Sequence, residues 1–157
     1  MAEQWLIDGY NLLHAHPSHS SSKVVLSREK LFALVAEFAS FKKLPTLLVL
    51  DGVGDEGQLQ AYRTDCFEAV FSQKVSADTY IEKFLYEQRG RARLTVVTND
   101  RAIANIARGG GASVLSAAQF YDLMNECRKE SDEFLLKEKT RGHRFHRPFE
   151  DKLKDHE

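Results

Sequence analysis

The sequence predicts an α/β fold: a central, mostly parallel five-stranded sheet with helices on both faces. Two observations predict it. Strand-like apolar runs alternate with helix-like segments about five times along the chain, which is the pattern of a doubly wound sheet. The run "TLLVLD" (46–51) is almost continuously apolar, as expected of a parallel strand covered on both faces. A length of 157 residues suits one domain with a real core, and no internal repeat interrupts the alternation.

The elements follow in order. Trp5-Leu6-Ile7 makes a short first strand that runs into Asp8-Gly9, and a polar loop, "HAHPSHSSSK", comes after it. Ser27 caps a helix in which Leu31, Phe32, Leu34, Val35 and Phe38 recur at helical spacing, and Pro45 stops it. "TLLVLD" is the second strand and "CFEAVFS" (66–72) the third. Ser76 caps the helix "ADTYIEKFLYEQ", which ends at Gly90. "LTVVT" (94–98) is the fourth strand, followed by the helix "DRAIANIA" and the break "RGGG". "ASVLS" (112–116) is the fifth strand. Ser116 and Gln119 then form a capping box for a long last helix, expected to reach about Lys139.

Residues 1–139 thus form the folded domain, and 140–157 a tail. From Lys137 to Lys154 there are seven Lys or Arg against three acidic residues. The whole chain has a net charge of −1, so any surface for nucleic acid must be local. Cys66 and Cys127 show no metal-binding spacing and read as reduced thiols of a cytoplasmic protein. No apolar run approaches the ~20 residues that span a bilayer, and the N-terminus lacks a signal-peptide pattern.

Open α/β sheets gather functional groups beyond the carboxyl ends of their strands. There the first strand ends in Asp8, the second in Asp51 and the fourth in Thr98-Asn99-Asp100. The middle helix opens on Asp78, with Glu82 four residues later on the same helical face. Singly, each acid has an ordinary explanation as a turn residue or as a first-turn carboxylate favoured by the helix dipole. Together, up to five carboxylates on one rim repel one another and raise their own pKa values. A bound cation reverses that penalty, and carboxylate oxygens with an amide suit Mg²⁺ or Mn²⁺ rather than zinc. The implied substrate is a phosphate ester.

The stretches "LIDGYNLL", "VFSQKVSADTYIEKFL" and "TVVTNDRAIANIA" resemble the motifs of the NYN domain, a PIN-like nuclease fold, and its bacterial YacP-like branch in particular. The resemblance covers the chain to about residue 140. It implies a PIN-like three-layer α/β/α sandwich and metal-dependent endoribonuclease activity on RNA, with mRNA decay linked to the ribosome as a setting. It places the family's acidic positions on Asp8, Asp78 and Asp100 as ligands for one or two Mg²⁺ or Mn²⁺ ions, with Asn11 as the nearby amide. Hydrolysis would leave a 5′-phosphate and a 3′-hydroxyl. Some relatives carry a second Asp before the middle-helix one, where this chain has Ala77; Glu82 is a candidate to supply that carboxylate. Asp51, Thr98 and Asn99 are candidates to orient the ligands.

For RNA contacts the candidates are Arg101, beside Asp100, Lys83 on the middle helix, and the tail residues Arg141, His143, Arg144 and Arg147. The tail interleaves charge with Phe145 and Phe149, a mixture that holds single strands by charge and stacking. Lys83, Arg89, Arg91, Arg93 and Arg108 also read as a solvated face, and Tyr10 either stacks on a base or packs. His14, His16 and His19 read as polar loop residues. "GVGDEG" (52–57) fits a dinucleotide-binding spacing, but Asp55 and Glu56 would repel a pyrophosphate and no clear helix opens within it. No nucleotide cofactor is therefore expected. Two alternatives stay open: an inactive PIN-like module that binds RNA or the ribosome, and a phosphatase or 5′-nuclease using the same acids.

Overall fold

The computed structural model describes residues 3–15, 27–90 and 93–154, with side chains described for 3–14, 27–90 and 93–139. The chain runs β1 (Glu3–Asp8), α1 (Gly9–Ala15), α2 (Arg28–Lys42), β2 (Thr46–Leu50), α3 (Glu56–Gln60), β3 (Phe67–Phe71), α4 (Ala77–Gln88), β4 (Arg93–Val97), α5 (Arg101–Gly109), β5 (Ser113–Leu115) and α6 (Ala117–Lys154). All five strands pair in parallel, in the order β3-β2-β1-β4-β5. The three-layer sandwich expected from the sequence is present.

Strand faces decide the layers. Leu6, Val49, Leu94 and Val96 pack against Ala77, Ile81 and Leu85 of α4 and Ile103 and Ala107 of α5. On the other face Trp5 meets Phe38 of α2 edge-on, with ring centroids 5.3 Å apart, and Phe120 of α6 at 5.8 Å. Phe38 and Phe120 close that triangle at 5.0 Å. Such offset aromatic pairs add to the area they bury. The Tyr121 hydroxyl donates to the Leu12 carbonyl at 2.6 Å, tying the start of α6 to α1.

The helix starts read from the sequence are made as drawn. Ser27 accepts from the Lys30 amide, Ser76 from Thr79, and Ser116 exchanges bonds with Gln119. Three features differ from expectation. Residues 9–15, expected as turn and loop, form α1. A short helix, α3, does open inside "GVGDEG", because the Asp55 carboxylate accepts from the Gly57 amide and caps it. The last helix runs to Lys154 instead of ending near Lys139. The chain divides into two compact units, Met1–Met124, which holds the sheet, and Asn125–Glu157, which holds the rest of α6.

The close approach of α1 to β2 rests on Gly9. A Cβ there would lie 2.9 Å from the Val49 carbonyl oxygen and 2.9 Å from Leu50 Cδ2. Gly9→Ala is therefore expected to destabilise the fold by about 1–3 kcal/mol, seen as a lower urea midpoint. Gly109→Ala, where a Cβ would meet nothing within 4 Å, serves as the neutral control. Equal midpoints for the two variants would refute the close-packing argument.

Candidate active site

The strand order places a topological switch between β1 and β4. The chain leaves β1 through α1 toward one face and leaves β4 through α5 toward the other. Such divergence opens a crevice at the carboxyl ends of the strands. A cavity of about 380 Å³ lies here, lined by Asp8, Asp51, Asp78 and Asp100 together with Tyr10, Asn11 and Asn99. Among the described residues its lining contains no Lys or Arg. The register brings the strand ends level, since Asp8 pairs with Val49 and Ile7 with Val97.

Each acid is held differently. Asp8 is only 2% exposed. Its Oδ1 accepts from the Asn11 backbone amide at 3.5 Å, and its Oδ2 accepts from the Asn11 side-chain amide. The Asn11 Oδ1 in turn accepts from the Asn99 amide at 3.1 Å, and the Asn99 Oδ1 accepts from the Ala117 amide at 2.9 Å. One chain of amides thus joins the ends of β1 and β4 to the start of α6. Asp100 is the N-cap of α5, its Oδ1 accepting from Ala102 at 2.8 Å and Ile103 at 3.1 Å. Asp51 Oδ1 accepts from the Ala77 amide at 2.9 Å and so fixes the start of α4. Asp78, in the first turn of α4, makes no hydrogen bond among the described residues.

The charges act on one another. Burial, helped by the nearby charge of Asp78, pushes the Asp8 carboxyl up to about 6 against the pull of its Asn11 bonds. Asp78 is also raised, first by desolvation and then by the charges of Asp100 and Asp51. Hard oxygen donors, mutual repulsion and an opening to solvent fit a hydrated Mg²⁺ or Mn²⁺. Among the described residues, no three His, Cys, Asp or Glu side chains form a ready-made ligand cage. An ion here would keep waters between itself and some of these carboxylates, as Mg²⁺ usually does.

The site differs from expectation at several positions. Glu82 lines a different cavity, with Arg89, Gly90 and Gly110. Its i+4 position shares a helical face with Asp78 but lies a full turn, roughly 6 Å, further along the axis. The fourth carboxylate of the acidic cavity is instead Asp51. Ala77, where some relatives are expected to carry an acid, lines the cavity but is 5% exposed and belongs to the core beneath α4. Thr98 is buried and accepts from the Asp100 amide at 3.0 Å. Arg101 lies beside the cavity in an adjoining groove, and Lys83 is exposed on α4 outside the acidic lining. The side chains of Arg141, His143, Arg144 and Arg147, and all of His16 and His19, lie outside the described residues. Tyr10 is 58% exposed at the cavity and stacks on His14 with centroids 4.1 Å apart. The sequence missed Ser72, which is buried, accepts from Gly52 and donates to Val75. It ties the β2 turn to the loop before α4, and only its place at a strand end hinted at this.

The raised Asp8 pKa gives a signed prediction. A carboxyl with a folded pKa near 6 and an unfolded one near 3.8 holds more protons folded than unfolded between those values, so stability falls as pH rises through them. The penalty is absent below about pH 4, complete above about 6, and on the order of 3 kcal/mol. In EDTA, Asp8→Asn should melt above the wild type at pH 7, and the gap should shrink toward pH 4. A gap that is constant with pH would refute the buried-charge account. Mg²⁺ or Mn²⁺ should raise the wild-type melting temperature and leave that of Asp8→Asn nearly unmoved.

Comparison with known proteins agrees with this fold. No curated protein matches the chain. Among solved structures, Rae1 (YacP) from Bacillus subtilis is similar with a TM-score of 0.72 and 21% identity, over 97% of this chain and 90% of that one. A single-substitution mutant of the same protein gives 0.69 and 23%, over 89% and 85%. At these identities the likeness is one of fold. The model of the YacP-like NYN domain matches residues 5–157, from the strand that delivers Asp8 to the last residue of the chain. With that span matched, the chain belongs to the YacP-like NYN domain family, a family of nuclease-type hydrolases.

Proposed function

We propose that this protein is an endoribonuclease dependent on Mg²⁺ or Mn²⁺, with Asp8, Asp78 and Asp100 as the ion's ligands. The observation that carries the reading is the acidic cavity itself. Four aspartates from four separate segments face one solvent-open space, with no Lys or Arg in its lining among the described residues, and a positive ligand relieves the cost of bringing them together. When bound, a divalent ion supplies the positive charge that polarises the scissile phosphate and favours ionisation of the attacking water.

The chain's own residues do the positioning. Asn11 hydrogen-bonds both oxygens of Asp8 and so fixes the orientation of the carboxyl. Asp51 fixes the first turn of α4, and with it Asp78, through the Ala77 amide. Asp100 keeps one oxygen on the amides of α5 and has the other for an ion. Tyr10 offers an exposed ring at the mouth, suited to stacking on an unpaired base. Such a site needs no nucleophilic side chain. RNA is the substrate this reading assigns, with ribosome-associated mRNA and the basic residues beyond Lys139 as its extension.

The test is cleavage of labelled RNA and DNA with Mg²⁺, Mn²⁺ or EDTA, on free RNA and on translating ribosomes. Asp8→Asn, Asp78→Asn and Asp100→Asn should each lower the rate by about a hundredfold or more. Asp100→Asn should do so without loss of stability, because Asn caps a helix as well as Asp. Asp51→Asn, which keeps an acceptor for Ala77, should cost about tenfold to a hundredfold. Products should carry 5′-phosphate and 3′-hydroxyl ends. Cleavage that survives both EDTA and these substitutions would overturn the metal site.

A further inference from the structure

A second depression adjoins the acidic cavity and differs from it in charge. It has a volume of about 530 Å³ and runs between α5 and β5. Asn99 and Asp100 line both spaces, so the two share a wall. Its wall carries Arg101, Asn105 and Arg108. Spacings of four and three residues put these side chains on one stripe of α5, roughly 10 Å long at 1.5 Å per residue. Ile103 and Ala107, on the other side of the helix, are buried, as is Ala104 beside the stripe. All three polar residues are exposed, and among the described residues neither arginine makes an ion pair. Ser116 and Gln119 form the far rim, and Val114 and Ala104 form an apolar floor. Helix α5 contains no acidic residue, and among the described residues Asp100, its cap, is the one carboxylate in the groove lining.

Two unpaired guanidinium groups opening onto a phosphodiester-cleaving site suit the flanking backbone of the same strand. A polyanion approaching four carboxylates is repelled at the point of cleavage. Cations beside that point offset the repulsion without disturbing the acids. We propose that this groove holds single-stranded RNA flanking the scissile phosphate on one side only, with Arg101 and Arg108 on two backbone phosphates. Asn105 and Gln119 sit within the same walls as hydrogen-bonding groups for sugar or base edges. The proposal rests on the endoribonuclease reading for the identity of the strand. It adds Arg108 and Asn105 as substrate-positioning residues and gives the site a direction along the RNA.

The experiment measures binding of a fluorescent single-stranded RNA in EDTA across a salt series. The proteins are the wild type, R101Q/R108Q, R101K/R108K and a control, K30Q/K43Q, whose lysines lie on and after α2, the helix that packs near the opposite sheet edge. Losing two phosphate contacts should flatten the slope of log K against log salt by about 1.4, at roughly 0.7 per contact on single strands. R101Q/R108Q should show that flattening and bind about tenfold or more weakly, with an unchanged melting temperature. R101K/R108K should keep the slope, since a phosphate accepts a point charge, and the control should match the wild type. Truncating the RNA stepwise from its two ends in cleavage assays should raise KM from one end only. A wild-type slope in R101Q/R108Q, equal flattening in the control, or no RNA binding at all would overturn the groove. Cleavage that persists with an unmoved slope removes the groove and leaves the nuclease reading standing. Arginine-dependent binding without cleavage in any metal leaves the groove and removes the nuclease reading.

Discussion

Asp8 is a nearly inaccessible carboxyl at the end of the central strand, held by Asn11 and repelled by Asp78. The rest of the site is arranged around that buried charge. A lone buried carboxylate favours its neutral form, so its neighbours must either neutralise it or supply hydrogen bonds. The chain supplies hydrogen bonds through Asn11, and Asn11 itself is anchored on the Asn99 amide at the end of β4. The turn after β1 and the turn after β4 therefore cannot move independently. Asn99 extends the link to the first amide of α6, so one relay of amides spans the switch point that makes the crevice.

The larger elements were legible because they repeat. Apolar residues at helical spacing, Ser at three helix starts and the unbroken "TLLVL" strand each carry several residues of agreeing signal. The short helices α1 and α3 were not. Seven residues beginning Gly-Tyr-Asn and five beginning Glu-Gly are too few for a period to show, and their composition matches that of turns. The Leu12 side chain is fully buried and its carbonyl accepts from the Tyr121 hydroxyl, 109 residues away in sequence, so α1 is held by contacts outside its own segment. No local pattern contains that information.

The acids were legible as a set and misjudged as individuals. Spacing gives the face of a helix but not depth along it, so Glu82 shares a stripe with Asp78 and still lines another cavity. Asp51 reads from the sequence as a candidate to orient the ligands, and its Asp-Gly step also reads as a turn, which it is: Gly52 has a φ of +93°, a conformation that favours glycine. The turn and the site are the same feature. Residues that shape the β2 end as a bend also aim the Asp51 carboxylate at the Ala77 amide, and this explains how a carboxylate can stand at the site although position 77 is alanine.

Hydrogen bonding ranks the four carboxylates by freedom to respond. Asp8 has both oxygens on Asn11, Asp100 has one on α5, and Asp51 has one on α4. Asp78 has none among the described residues, and it lies exposed in a first helical turn. An arriving cation would find three acids whose directions are already set and one that can swing to meet it. Preorganised charge is what an electrostatic site needs, and a single adjustable ligand lets such a site admit a hydrated ion without unfolding its frame. The same division separates the cavity from its neighbour, because α5 carries a hydrogen-bonded acid as its cap and, along its outer stripe, arginines without an ion pair among the described residues. A molecule with a net charge of −1 thus keeps opposite charges in adjoining spaces, the acids at strand ends and helix starts and the arginines along a helix face.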